Sequence, residues 1–102
     1  MVRLMVYYET PDDPEAFDAH YWDVHLPIAK AMPGLRSYRV SRNVKSARGG
    51  DPFYLVAELE WDSGEDMKAA FASPEGKATG ADVAVMAPGD KARNVVVDVQ
   101  DY

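Results

Sequence analysis

Residues 53–61 have the sequence Phe-Tyr-Leu-Val-Ala-Glu-Leu-Glu-Trp, and this stretch decides the fold class. Apolar residues alternate with a second set that includes the two charges, Glu58 and Glu60. A period of two residues predicts a β-strand with one face in the core. The predicted core-facing residues are Phe53, Leu55, Ala57, Leu59 and Trp61.

Further strands are predicted on both sides of this one, over residues 2–8, 35–44 and 93–99. A capping pattern at Asp12 and Glu15 predicts a helix that ends near Pro33, and Ser63 begins a second helical region that continues to residue 87. The order β-α-β-β-α-β predicts an α+β, ferredoxin-like fold with a four-stranded antiparallel sheet and its helices on one face. A chain of 102 residues is expected to form a single domain over residues 1–102.

The first helix carries an apolar stripe that Pro27 interrupts. The stripe consists of Phe17, Tyr21, Val24 and Ile28. Because proline removes a backbone donor, we expect a kink or break around residues 24–26.

Two histidines, His20 and His25, lie on this helix, five residues apart. On a regular α-helix they would point about 140° away from each other. They therefore do not form the i, i+4 metal pair of a zinc-binding helix, and no metal site is predicted.

The sheet face away from the helices is predicted to be too apolar to face water. Its expected residues are Met5, Tyr7, Tyr54, Val56 and Val96, beside Arg3, Glu58 and Asp98. A large apolar surface indicates a partner, and closed two-fold dimers are the commonest assembly. We therefore expect a homodimer through this open face of the sheet.

Composition excludes several classes of function. The formal charge of −6 disfavours nucleic acid as a partner, and the lack of cysteine excludes disulfides and thiolate metal sites. No apolar run approaches the length of about 20 residues that spans a membrane, so no membrane partner and a cytoplasmic location are expected. Nucleotide, phosphate and serine-hydrolase motifs are absent, and no cofactor is predicted.

His25 is the strongest candidate for chemistry. Its unperturbed pKa of about 6.5 allows histidine to accept and donate protons at neutral pH, and Trp22 on the same helical face could form an apolar wall for a planar ligand. The alternative is structural, because a histidine near a helix end often caps carbonyls or packs against a sheet.

Short motifs along nearly the whole chain resemble the EthD family, named after a protein of ethyl tert-butyl ether degradation. They are Phe17, Tyr21-Trp22, His25, Pro27, Pro33-Gly34-Leu35, Tyr38, residues 57–61, Ala69-Ala70-Phe71, Ser73-Pro74-Glu75 and Ala81-Asp82. Individually the motifs are weak, but their order and spacing together are specific. After Asp82 the chain departs from the family pattern, which has an aromatic residue near an aspartate there.

The resemblance implies a dimeric α/β barrel in which each subunit keeps a cleft between its sheet and helices. It implies His25 as an acid–base residue, with Tyr21, Trp22 and Asp82 as substrate-binding residues. The function it suggests is a cofactor-independent enzyme, of lyase, isomerase or oxygenase type, acting on a small apolar or aromatic carbonyl compound. From their charge alone, and not from the resemblance, Arg39 or Arg3 is expected to hold an anionic oxygen.

Two alternatives stay open beside this enzyme. One is a non-catalytic small-molecule-binding or accessory protein of a degradation pathway. The other is a protein that binds haem through His25, which the small size of the subunit disfavours.

Overall fold

The computed structural model describes residues 1–102 and contains four strands and four α-helices. The strands are β1 (Val2–Tyr8), β2 (Ser37–Ser41), β3 (Leu55–Trp61) and β4 (Ala92–Asp98). The helices are α1 (Pro14–His20), α2 (Leu26–Lys30), α3 (Gly64–Ala72) and α4 (Pro74–Met86). A π-helical turn, Tyr21–His25, joins α1 to α2, and a 3-10 turn, Gly89–Lys91, precedes β4.

The sheet has the order β2-β3-β1-β4, and every neighbouring pair of strands is antiparallel. The ferredoxin-like fold predicted from the sequence is therefore confirmed. The strands β2 and β3 are shorter than predicted, and a bend at Tyr54 precedes β3.

The helices and one face of the sheet enclose the core. Its residues on β1 and β3 alternate as predicted, with Leu4 and Val6 opposite Leu59 and Ala57. The prediction for Phe53 is wrong, because this residue precedes β3 and its ring lies 5.1 Å from that of Tyr7, on the open face. Trp61 is fully buried, and its indole N–H donates to the carbonyl oxygen of Pro33 at 3.1 Å. This bond ties the segment after α2 to the end of β3.

The helices α3 and α4 meet at Ser73, in the motif Ser73-Pro74-Glu75. The hydroxyl of Ser73 accepts the backbone N–H of Gly76 and so caps α4. A Cβ atom at Gly76 would collide with the carbonyl oxygen of Ala70, so only glycine allows the two helices to approach this closely. Asp82 is thereby fixed in position on α4.

Of the kink or break predicted around residues 24–26, the break is wrong because the chain stays helical, and the irregularity is present as the π turn Tyr21–His25. Proline cannot donate to the carbonyl of Asp23, and the wider turn bonds the N–H of Leu26 to Tyr21 instead. The extra residue moves the buried stripe by one position. His25 is buried in place of Val24, which is 42% exposed, and Ala29 is buried in place of Ile28.

The open face of the sheet differs in part from the prediction. Val96 lies opposite Leu4 and therefore faces the helices, whereas Val95 lies opposite Met5 on the open face. The hydroxyl of Tyr54 donates to Asp18 on α1, so this ring also leaves the open face. Asp98 lies opposite Val2 and also faces the helix side. The prediction that Val96, Asp98 and Tyr54 lie on the open face is therefore wrong. The open face consists of Arg3, Met5, Tyr7, Val56, Glu58, Glu60, Arg93, Val95 and Val97, with Ser37, Arg39 and Ser41 from β2.

None of the helices has the length and apolar character that crossing a membrane requires.

Candidate functional site

A cavity of about 360 Å³ lies between the sheet and the helices. This volume falls within the usual range of small-molecule sites. Eleven of the fifteen residues around it are hydrophobic, which favours an apolar ligand. The mouth lies at β4, where Asn94 and Val96 face the helix side but remain exposed.

His25 is part of the cavity wall, although only 2% of the residue is exposed. The π turn brings it there, because a regular α-helix would have placed Val24 toward the core instead. The sequence identified His25 as a candidate but could not establish that it faces a cleft.

Asp82 on α4 holds both histidines of the chain. Its Oδ2 lies 2.8 Å from His25 Nδ1, and its Oδ1 lies 2.8 Å from His20 Nε2. The two rings therefore converge, and the prediction that they point apart is wrong. The reason is the i→i+5 repeat of the π turn, which brings residues five apart onto one side of the helix.

His20, His25 and Asp82 form a hydrogen-bonded unit. No group of three or more His, Asp or Glu side chains has a metal-binding arrangement. The outer member, His20, lies against a second cavity beside Asp12, Asp13 and Lys91. His25 is the member of this unit that reaches the inner cavity.

Burial lowers the pKa of His25 below its ordinary value of 6.5, although the hydrogen bond and charge of Asp82 act in the opposite direction. At neutral pH the ring is therefore uncharged and carries one proton. Because a carboxylate only accepts hydrogen bonds, the proton lies on Nδ1 and is donated to Asp82. The lone pair of Nε2 is left free.

Nε2 of His25 has no hydrogen-bond partner within the chain. The only fully enclosed side-chain nitrogen or oxygen without a partner is Nε of Arg3, so Nε2 of His25 is not sealed in the core. Since His25 lines the cavity, its free nitrogen is available to a ligand there.

Tyr21, Trp22 and Asp82 lie around His25 but do not line the cavity. Tyr21 is fully buried behind the wall, where its hydroxyl lies 2.7 Å from that of Tyr38. Trp22 lies on the outer side, with the Arg42 guanidinium 5.6 Å from its ring centroid. Asp82 and Tyr21 contact His25 itself, whereas Trp22 packs against Tyr21.

The two arginines considered as anion holders lie on the other side of the sheet. Arg3 donates from Nη2 to Glu60 at 3.2 Å, and Arg39 lies opposite Glu58 on the open face. The expectation that either holds a substrate oxygen in the cleft is therefore wrong. The alternation of strand residues could have shown this, because Arg3 falls between the core residues Val2 and Leu4.

Sequence reasoning missed the polar residues of the cavity itself. Tyr8, Tyr38, Thr79 and Asn94 line it beside His25. The even positions of β1 and β4 place Tyr8 and Asn94 on the helix side, which was a usable signal once the register was known. Thr79 comes from α4, and nothing in its local sequence sets it apart.

The EthD domain model matches residues 10–90 of this chain. An uncharacterised 11.0 kDa protein from the thcB-thcC intergenic region of Rhodococcus erythropolis is 38% identical over 90 residues. That match covers 87% of this chain and 86% of the relative. The resemblance to the family, read from short motifs, is confirmed.

Solved structures with a similar fold include one member of this family and more distant proteins. An ethyl tert-butyl ether degradation (EthD) family protein of Bacillus halodurans superimposes with a TM-score of 0.90 at 38% identity, over 98% of this chain and 99% of that one. A dimeric ferredoxin-like protein of Jannaschia gives 0.72 at 15% identity, over 96% and 98%. SnoaB of Streptomyces nogalater, a cofactor-independent oxygenase, gives 0.68 at 13% identity, over 99% and 94%. These last two matches show the fold alone.

Proposed function

This chain belongs to the EthD domain family, and we propose that its cavity binds a small, largely apolar or aromatic carbonyl compound on which His25 moves a proton. One observation carries the proposal. Nδ1 of His25 is held by Asp82 at 2.8 Å, while Nε2 has no partner and the ring lines an apolar cavity.

In this reaction His25 acts first as a general base. Its low pKa keeps the ring neutral, so Nε2 takes a proton from the ligand and Asp82 stabilises the imidazolium that forms. The proton is then returned to another atom of the ligand or to a leaving group. Isomerisation, dehydration and decarboxylation all use such steps, and a positioned general base contributes a factor of about 10²–10⁴ in rate.

In this scheme Tyr21 and Asp82 position His25, and Trp22 packs against Tyr21 with ring centroids 5.2 Å apart. SnoaB, a cofactor-independent oxygenase, has the same fold, and this supports the proposal at the level of fold analogy.

A non-catalytic binding protein is the second candidate. The observation that favours it is that no carboxylate and no second histidine lines the cavity. Such a protein would hold the same class of ligand and return it unchanged.

The test is hydrogen–deuterium exchange at the carbon next to the carbonyl of 2-tetralone, followed by proton NMR in heavy water. The wild-type protein should accelerate exchange, and His25→Ala should lose about 10²–10⁴-fold of that acceleration. His20→Gln is the matched control, since it changes the other histidine and leaves Nε2 of His25 in the cavity; it should retain most of the rate.

Equal exchange rates for wild type and His25→Ala would overturn the catalytic proposal. Saturable binding of 2-tetralone without exchange would establish the binding protein instead.

We further propose that two copies of the chain pair through the open face of the sheet. The relatives include proteins described as dimeric. On this face Val95 and Val97 are 43% and 36% exposed, and Nε of Arg3 is enclosed without a partner. A second sheet covering this face would bury the valines.

Light scattering coupled to size-exclusion chromatography tests the pairing. The wild type should elute as a dimer, and Val95→Asp should elute as a folded monomer because a buried, unpaired charge is costly. Val85→Asp makes the same change at a valine on α4 that is 74% exposed, and it should remain dimeric. A monomeric wild type, or a dimeric Val95→Asp, would contradict the assignment.

A further inference from the structure

Tyr8, the last residue of β1, has an unusual hydroxyl group. The residue is only 1% exposed, and its ring is held edge-on by Phe17 and Tyr21, with centroids 5.5 and 5.8 Å away. The ring position is therefore fixed by the core. The hydroxyl, however, makes no hydrogen bond within the chain, whereas buried hydroxyl groups are nearly always paired.

This hydroxyl is directed into the inner cavity. Nε of Arg3 is the only fully enclosed side-chain nitrogen or oxygen without a partner, so the unpaired hydroxyl of Tyr8 must reach open space. The space that Tyr8 lines is the cavity that His25 also lines.

The other tyrosines near the core do not share this property. The hydroxyls of Tyr21 and Tyr38 pair with each other at 2.7 Å, and the hydroxyl of Tyr54 donates to Asp18 at 2.9 Å. Tyr8 is therefore the tyrosine of the core whose hydroxyl is left for a ligand.

We propose that the hydroxyl of Tyr8 donates a hydrogen bond to the carbonyl oxygen of the ligand, and that the ligand is an enolisable carbonyl compound. This inference rests on the proposed role of His25 and names the substrate class of the same site. Tyr8 takes the place that the sequence analysis gave to Arg3 or Arg39.

The chemical step balances without any further reactant. Nε2 of His25 takes the proton from the carbon next to the carbonyl. The electron pair of that C–H bond becomes the new carbon–carbon double bond, and the carbonyl π pair moves to the oxygen. The enolate oxygen accepts the hydrogen bond from Tyr8, and His25 later returns the proton to carbon.

Tyr8 keeps its own proton throughout. Burial raises the pKa of Tyr8 above its ordinary value of 10, and the nearby Tyr38 and the charge of Asp82 raise it further. The hydroxyl is therefore a fixed donor aimed at the position where negative charge develops, as in an oxyanion hole.

The direct test is the binding of 4-nitrophenol, whose ionised oxygen mimics that of an enolate and whose absorbance reports ionisation. The wild type should bind it and favour the ionised form, and Tyr8→Phe should bind it at least about ten-fold more weakly, because it removes one oxygen and keeps the ring. The matched control is Tyr7→Phe, the neighbouring residue on the opposite face of β1, which should bind like the wild type.

Equal affinities of wild type and Tyr8→Phe, with both proteins folded by thermal melting, would overturn the inference, as would absence of binding by the wild type. Exchange of 2-tetralone in heavy water separates this inference from the role of His25. Tyr8→Phe should slow exchange about 10²-fold, the usual effect of losing one oxyanion donor. Weaker binding of 4-nitrophenol by Tyr8→Phe, together with unchanged exchange in His25→Ala, would support the donor and reject the base.

Discussion

The two faces of the sheet use the same strands in opposite ways. On the helix side, β1 and β3 contribute mainly apolar residues to the core and to the cavity. On the open side, charges are paired between β1 and β3, with Arg3 3.6 Å from Glu58 and 3.2 Å from Glu60. The helix side thus encloses a cavity lined by the His25 imidazole, and the open side carries paired charges beside exposed valines.

The environment on each face has a different effect on the charge of an ionisable side chain. Burial lowers the pKa of His25 and keeps the ring uncharged. By contrast, a hydrogen bond from the Ser37 hydroxyl, assisted by Arg3, lowers the pKa of Glu60 and keeps it ionised. One face favours a base, and the other favours a network of fixed charges.

The two faces should differ most in the stability that is lost when an apolar side chain is truncated to alanine. Trp61→Ala removes a fully buried indole and its bond to Pro33, and it should cost about 3–5 kcal/mol in the free energy of unfolding. Val95→Ala should change the free energy of unfolding by less than about 0.5 kcal/mol. Both variants are measured by urea unfolding, at one protein concentration that is low enough for the chain to be monomeric. Similar costs for the two variants would mean that the faces are equally buried.

The ion pair Arg3–Glu60 should contribute more to stability than the exposed pair Arg36–Asp62, although this difference is smaller than the one above. Arg3→Ala leaves Glu60, which is 8% exposed, without its cation and should cost about 1–3 kcal/mol. Arg36→Ala breaks a pair with Asp62 in which both side chains are more than 60% exposed, and it should cost no more than about 1 kcal/mol. Urea unfolding measures both, and an Arg3→Ala variant as stable as Arg36→Ala would show that the network on the open face contributes little.

The most gradual effect is the dependence of stability on pH. The folded-state pKa of His25 lies below 6.5, so between these two values the unfolded chain binds more protons. The contribution of His25 is therefore fully present above pH 6.5 and is lost as the pH falls toward the folded-state pKa. Glu60, whose pKa is lowered from 4.5, contributes above pH 4.5 and loses that contribution at lower pH.

Urea unfolding from pH 8 to pH 3 should therefore show two windows. His25→Gln should remove the loss of stability that begins near pH 6.5, and Glu60→Gln should remove part of the loss below pH 4.5. A wild-type slope retained in His25→Gln would mean that another group titrates in the upper window.

The sheet was predictable because its signal is local and repeated. Alternation in residues 53–61 and capping by Ser63 each specify one element, and the order of the elements specifies the fold. The assignment of β4 to its faces was not predictable in the same way. Val95, Val96 and Val97 give both faces the same residue type, so only pairing with β1 shows which of them faces the helices.

The site was predictable only in part, because its geometry depends on a deviation from helical periodicity and on a distant residue. His25 could be recognised by its chemistry and by family resemblance. Its convergence with His20 requires the π turn, which a stripe of period 3.6 does not reveal. Asp82 is 57 residues from His25 along the chain, and only the packing of α4 joins them.

In genetic terms, the π turn is one codon more than a regular α-helix needs. Deleting a single residue between His20 and His25 would restore ordinary helical bonding and place the two histidines four residues apart, about 40° from each other and still on one side of the helix. The sheet, with its register between β1, β3 and β4, does not depend on that residue. The helix therefore accommodates the extra codon as a π turn, and the two imidazoles converge whether or not that codon is present.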